Sequence, residues 1–303
     1  MTTANTILSD INEIYTGYVL AGNKWFDIQA KNHYMQRIAM AEPHEVLDAQ
    51  GKATAMAKDF LTWASNNGYR TVKDVWWTAR PGSMASAVGQ EVDQKKNPTD
   101  ILVKFLVGPS NGFLGLSAKA TKTSGEIGFK NPGVGTVDKS LSLSLAAKYK
   151  TVLEKTIKDL DLPDSADKRK IFLRQTPKVR EKTEKIGSDL LSTLRDDLLV
   201  KLKSMKNKEL LSYLLVDWMN ADVMYPPYIK VTGQGNKAPY RATVMNPTDN
   251  PKLEALANYD ITLSTVGNES IGVMAGDKKI MKIRFKFESE KMASSMKLSG
   301  DPW

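Results

Sequence analysis

The chain has no cysteine and only two histidines, His33 and His44, among its 303 residues. Disulfides, thiolate nucleophiles, iron–sulfur clusters and Cys-ligated zinc are thereby excluded. The histidines do not stand at the spacing of a zinc-peptidase helix, so each reads as a polar surface or helix-face residue. Phosphate-cradling loops are missing too: Gly51-Lys52 has no upstream glycine partner, and Gly233-Gln-Gly235 lacks the rest of a dinucleotide fingerprint. No stretch approaches the ~20 uninterrupted apolar residues of a membrane span. The opening Met-Thr-Thr-Ala-Asn-Thr has no basic segment leading into an apolar run, so no secretory signal is visible. A cytoplasmic location without a membrane partner is expected. What these absences leave for catalysis is oxygen-ligated metal chemistry.

Positive charge is in surplus. Lys and Arg number 43 against 34 Asp and Glu, a net charge of +9. A basic surface attracts polyanions through counterion release and long-range steering. At 41% hydrophobic residues over this length the chain can bury one large core or two.

The most informative stretch begins at Pro98-Thr99-Asp100 and runs through Ile101-Leu-Val-Lys-Phe-Leu-Val107, a Gly-Pro-Ser-Asn-Gly turn, and Phe113-Leu-Gly-Leu-Ser117-Ala-Lys119-Ala-Thr121. Alternation with period two predicts a β-hairpin. Ile101, Val103, Phe105 and Val107 share one apolar face with Leu114, Leu116, Ala118 and Ala120, and the other face gathers Asp100, Ser117 and Lys119. An acid opening one strand and a lysine on its neighbour suit a divalent cation held beside a phosphodiester. Hard carboxylate oxygens ligate Mg²⁺ or Mn²⁺, and the compact ammonium orients water or offsets charge growing on phosphate. Spacing alone also fits an ordinary solvated strand face.

Residues 97–121 resemble the core motif of the PD-(D/E)XK, or restriction-endonuclease-like, nuclease superfamily, which includes restriction endonucleases and phage exonucleases. Pro98 and Asp100 match its Pro-Asp with Thr99 inserted, and Lys119 matches its lysine. Ser117 departs from the pattern, standing where the family usually has Asp or Glu. Some restriction enzymes of the superfamily also carry Ser-x-Lys, with the missing acid supplied from elsewhere in the fold. The resemblance implies Asp100 as a metal ligand, Lys119 as the residue that positions or activates water, and Ser117 in support. It also implies a Mg²⁺ or Mn²⁺ cofactor and, if the chain is phage-encoded, the host cytoplasm. For the displaced acid the first choice is Glu13, in a helix expected from Ser9 to Leu20, because an N-terminal helix bearing such a Glu recurs in the superfamily; Glu91 and Glu126 are the alternatives.

The expected architecture is α/β: a restriction-endonuclease-like mixed sheet flanked by helices, with a helical insertion and C-terminal strands. Residues 1–138 form the first half of the core, 139–225 the insertion, and 226–303 a β-rich part that completes the core or extends a DNA-binding surface. Within the first part, a helix is expected over 43–67 and a strand over 72–79, then a short helix and polar loop over 83–97. The Gly-rich stretch 122–136 reads as an irregular loop whose Lys122 and Lys130 suit a nucleic-acid backbone. Leu190, Leu194, Leu198 and Leu202 recur at helical spacing. The polar cluster Asp167–Lys170 with Arg174, Lys178, Arg180 and Lys182 suits either a phosphate grip or a solvated surface. Strands are expected over 259–266, 271–274 and 280–287. In the last, Lys282, Arg284 and Lys286 alternate with apolar residues and, with Lys297 of the tail, form a row suited to phosphates or a charged edge. The function expected is metal-dependent hydrolysis of DNA, endo- or exonucleolytic, and a homodimer is compatible with it. A catalytically silent nucleic-acid-binding protein and a structural protein assembling through its helical insert stay open.

Overall fold

A computed structural model describes residues 4–94, 96–122, 128–221 and 224–303. The class is mixed α/β, as expected, and the strands form two sheets flanked by helices. The chain divides into two compact units: Met1–Ile127 with Val223–Asn250, and Gly128–Asp222 with Pro251–Trp303. Among the described residues no helix is long and apolar enough to cross a membrane.

The first unit opens with helices α1 (Ala4–Leu20), α2 (Ile28–Ile38) and α3 (Pro43–Asn66), followed by strand β1 (Tyr69–Trp77) and helix α4 (Ser83–Val88). Strands β2 (Ile101–Val107) and β3 (Ser110–Thr121) form the expected hairpin, and β4 (Tyr228–Gln234) and β5 (Arg241–Met245) complete the sheet. Its order is β1-β2-β3-β4-β5. All neighbours are antiparallel except β3 and β4, which run parallel with Ser117 opposite Lys230 and Lys119 opposite Thr232. The hairpin turn is tighter than the five-residue Gly-Pro-Ser-Asn-Gly reading. Val107 pairs with Ser110, and only Gly108, at φ 58°, and Pro109 lie between. A two-residue turn needs positive φ at its first position, which glycine supplies without steric cost.

One apolar cluster holds this unit together. Ile7, Ile11 and Ile14 recur on one stripe of α1, and Ala49, Met56, Ala57, Phe60 and Ala64 on one stripe of α3. Both stripes meet Ile101, Val103, Phe105, Leu114, Leu116 and Ala118 of the hairpin. The predicted apolar face is buried at Ile101, Val103, Phe105, Leu114, Leu116 and Ala118, whereas Val107 is partly exposed and Ala120 exposed. The alanines of α3 let its backbone come close to its neighbours, and Asn12 fixes the α1–α3 contact by donating from Nδ2 to the Ala49 carbonyl at 3.1 Å.

The second unit contains α5 (Val134–Leu141), α6 (Leu145–Asp159), α7 (Ala166–Gln175), α8 (Pro177–Lys203) and α9 (Asn207–Tyr213), then a π-helical turn over Leu214–Trp218. After α10 (Pro251–Asn258) come β6 (Ile261–Val266), β7 (Ser270–Ala275), β8 (Lys278–Phe287) and β9 (Met296–Pro302), an antiparallel sheet in that order. The leucine repeat of α8 is buried with Ile271, Val273, Ile283, Phe285 and Leu298. The Gly-rich loop is shorter than the sequence suggests, since α5 begins at Val134, and the tail carries a strand, β9. Residues 226–303 contribute to both units: β4 and β5 join the hairpin's sheet, and β6–β9 form the other.

Candidate active site

Asp100 is placed by a polar clasp. The Asn97 side chain donates to the Pro226 carbonyl at 2.9 Å and accepts from Thr99 Oγ1 at 2.7 Å. Thr99 in turn lies over Gly115 of β3, where an added Cβ would sit 2.0 Å from Thr99 Oγ1. On the other side, the Thr78 amide and hydroxyl both donate to the Asp100 carbonyl, at 3.1 and 3.0 Å, while the Asp100 amide donates to Leu116 at 2.9 Å. The backbone of Asp100 is thus tied to both flanking strands before its side chain does anything. Gly115→Ala is expected to lower stability by about 1–3 kcal/mol through overpacking. Combining it with Thr99→Ala should restore part of the loss in thermal melts; equal melting of Gly115→Ala and wild type would show that Thr99 is not held against this glycine.

The Asp100 carboxylate collects three donors on Oδ2: the Ala118 amide at 2.7 Å, Lys119 Nζ at 3.3 Å and Ser117 Oγ at 3.4 Å. Ser117 is fully buried, and the Lys119 side chain is 56% exposed. The hairpin register explains the grouping. Ile101 pairs with Leu116, so the residue before β2 falls beside Ser117 and its even-spaced neighbour Lys119.

Glu13 joins this group from α1. Its Oε1 accepts from Ser9 Oγ, one turn earlier, at 3.1 Å, and its Oε2 accepts from Trp77 Nε1 at 3.4 Å. Burial, reinforced by the nearby charge of Asp100 and opposed by that of Lys119, pushes the Glu13 carboxyl up to about 7. Asp100 is also raised, chiefly by burial, against the pull of Lys119 and the Ala118 amide. Two carboxylates that each favour a proton mark a spot short of positive charge. The donor set is hard oxygen from two separate elements. Among the described residues no group of three or more His, Asp or Glu is positioned for a metal, but Mg²⁺ is commonly held by one or two carboxylates with water and phosphate oxygens as its other ligands. Glu13 and Asp100 fit that role.

Glu91 is exposed in the loop after α4, while Glu126 lies outside the described residues. Lys122 is exposed one residue beyond β3. Lys130, Lys282, Arg284, Lys286 and Lys297 belong to the second unit. Several of these are already engaged: Lys130 Nζ donates to the Val216 carbonyl at 3.5 Å, Arg284 pairs with Asp301 at 3.1 Å, and Lys297 pairs with Glu288. In the polar cluster, Arg174 pairs with Glu290 at 2.7 Å and Lys170 with Asp167 at 3.6 Å.

Sequence reasoning missed three parts of the site. Trp77 reads as one more apolar strand residue, yet its indole N–H holds Glu13. Thr78 ties down the Asp100 carbonyl. Beyond Trp77 lies His33 of α2, with ring centroids 4.9 Å apart. Its Nε2 is 2.9 Å from Asp10 Oδ2, which also accepts from Arg37 Nε at 2.6 Å. The only signal for Trp77 is its place at the end of β1, beside the residue that opens β2. Trp77→Phe should keep the packing but free Glu13 Oε2, raising the Glu13 carboxyl further; a pH titration of Glu13 by NMR that matched wild type would discount this bond.

The chain matches no protein-family model and no curated protein.

Proposed function

We propose that the chain is a Mg²⁺- or Mn²⁺-dependent nuclease that hydrolyses DNA phosphodiesters on a restriction-endonuclease-like core. The observation that carries this reading is that Glu13 of α1 lies within electrostatic reach of the paired Asp100 and Lys119 at one end of the first sheet. It supplies, from α1, the second carboxylate that Ser117 does not. Helices α1–α3 lead into β1, β2 and β3, with α4 between the first two strands and β4 later parallel to β3, and this suits the αβββ opening that the resemblance implies. The net charge of +9 suits a polyanionic substrate.

A bound cation polarises the phosphate and lowers the pKa of its water. The protein's part is to hold and orient. Glu13 and Asp100 would hold the cation, Glu13 kept in place by Ser9 and Trp77, and Asp100 by its backbone clasp. Lys119, exposed and 3.3 Å from Asp100 Oδ2, directs a compact positive charge to where negative charge grows on the phosphate, or holds the attacking water. Ser117 donates to Asp100 and so helps fix the carboxylate's orientation.

The test is cleavage of linear duplex, circular duplex and single-stranded DNA with Mg²⁺, Mn²⁺ or EDTA, comparing wild type with Lys119→Ala. Metal-dependent cutting that falls by about 10²-fold or more in the variant is expected. Cutting by Lys119→Ala at the wild-type rate would remove the proposed site. Ser117, buried where the family's acid usually stands, favours one second reading, a nucleic-acid-binding protein without catalysis; DNA binding with no cutting under any metal would identify it.

A further inference from the structure

A cleft of about 480 Å³ opens in the first unit along the free edge of β1. Its walls are the segment from Leu20 to Phe26, which ends α1 and leads towards α2, and residues Val72–Trp76 of β1. The chain turns sharply to make the first wall. Gly22 and Asn23 are both left-handed, at φ 72° and 60°, and the Asn23 amide closes the end of α1 by donating to the Tyr18 carbonyl at 3.0 Å. That turn presents Lys24, Trp25 and Phe26 to the cleft.

The aromatic walls are braced from behind. The Trp25 ring packs against Tyr18 at 4.8 Å and Tyr34 at 5.2 Å, and Trp76 against Phe113 at 6.0 Å. Both tryptophans stay only partly buried. Lys24 and Lys73 are exposed at the cleft, and among the described residues neither is in an ion pair. Asp74 adds an acceptor that an exocyclic amine can meet. Half-exposed, immobilised rings with free ammonium groups beside them are the combination that binds unpaired nucleotides: the base stacks and the phosphate pairs with lysine.

We propose that this cleft is a subsite for an unpaired nucleotide of the substrate strand, which would make single-stranded or frayed DNA the form this protein engages. The proposal deepens the nuclease reading and rests on it for the identity of the substrate. Trp76 and Trp77 are successive residues, and successive strand side chains point to opposite faces. Trp76 lines the cleft while Trp77 holds Glu13, so one strand links the subsite to the carboxylates. A free strand edge also invites a peptide. Here, however, the β1–β2 register shifts between Tyr69 and Val72 and again between Val72 and Asp74. Irregularities of this kind re-aim a strand and spoil its edge as a template for another.

The experiment measures binding in EDTA, where cleavage plays no part. A fluorescein-labelled oligothymidylate and a blunt duplex of equal length are titrated with wild type, Trp25→Leu, and the double variant Lys24→Glu/Lys73→Glu. A parallel single strand carries 2-aminopurine, whose emission falls on stacking. Wild type should quench 2-aminopurine, and both variants should bind the single strand about tenfold or more weakly with much smaller losses on duplex. The charge-reversal variant alters only exposed side chains, so it decides the matter even if Trp25→Leu, deprived of its tilted ring contacts with Tyr18 and Tyr34, fails to fold. Unchanged single-strand affinity in that variant, or equal losses on both DNA forms, would overturn the subsite while leaving any observed cleavage, and so the nuclease reading, in place. Quenching by wild type without cleavage under any metal would sink the nuclease reading and keep the subsite. Tryptophan quenching by a strand-forming peptide but not by the oligonucleotide would reassign the cleft to strand addition and overturn the proposal.

Discussion

Replacing Glu13 by Gln is expected to abolish metal-dependent cleavage and, at the same time, to make the protein more stable above pH 7. The two effects share one cause. Glu13 ionises with difficulty because it is buried beside Asp100, and its carboxyl titrates at about 7 in the folded protein against 4.5 when free. Below pH 4.5 both states carry the proton and the group is neutral to stability. Between 4.5 and 7 the unfolded chain has released the proton while the folded one keeps it, so stability declines as pH rises through that window. Above 7 the folded state bears the whole cost of the charge, on the order of 3 kcal/mol. A glutamine side chain carries no charge and escapes this cost. One of the bonds from Ser9 and Trp77 loses its acceptor in exchange, which returns about 1 kcal/mol. Melting curves from pH 4 to pH 9 should therefore diverge as pH rises, with the Glu13→Gln variant the higher; curves that stay parallel would show that Glu13 does not titrate near neutrality. Cleavage should drop by orders of magnitude, because the neutral amide oxygen of glutamine lacks the charge that a carboxylate brings to a divalent cation.

Divalent cations should stabilise the wild type, and only where Glu13 is ionised. At pH 8 Glu13 is mostly ionised, and Mg²⁺ at about ten times its dissociation constant adds about 1.4 kcal/mol to the folded state. Near pH 5.5 Glu13 is mostly protonated, and the same salt should do little. Asp100→Asn should remove the response at every pH and reduce cleavage by orders of magnitude. Its fold should survive, since Asp100 belongs to neither apolar cluster and its backbone bonds to Thr78 and Leu116 do not use the side chain. Differential scanning fluorimetry with MgCl₂ against an equal ionic strength of NaCl reads this without reference to catalysis. A Mg²⁺ response retained in Asp100→Asn would place the cation elsewhere.

The parts of the site that follow a local rule were legible in the sequence. Alternation and a Gly-Pro turn are sufficient to mark the hairpin, and its register brings Asp100, Ser117 and Lys119 together. Glu13 was accessible only through the family resemblance, since nothing local ties a glutamate on the first helix to a strand lying far along the chain. What stayed hidden depends on tertiary context. Helix α2 carries exposed Ile28 and Met35, and Met40 just beyond its end is exposed as well, which blurs its amphipathic pattern and conceals the helix that brings His33 to Trp77. Strand β4 is central and buried on both faces, yet it includes Lys230 and Thr232, so its period-two signal is broken. The alternation of Lys282, Arg284 and Lys286 in β8 was correctly periodic. Periodicity, however, is silent about Asp301, which pairs with Arg284 from the next strand.

The parallel pairing of β3 with β4 has a consequence during synthesis. The hairpin that carries Asp100 and Lys119 is synthesised before its partner strand, which is encoded beyond the whole 128–222 segment. Until that later stretch emerges, β3 has a bare flank, and Asn97 has no Pro226 carbonyl to grip. A chain stalled or clipped before residue 226 would carry every residue of the proposed catalytic group and still lack the brace that aims Asp100. Loop closure over such a distance is slow compared with local helix formation. The candidate site is thus braced only once β4 has followed the intervening helices.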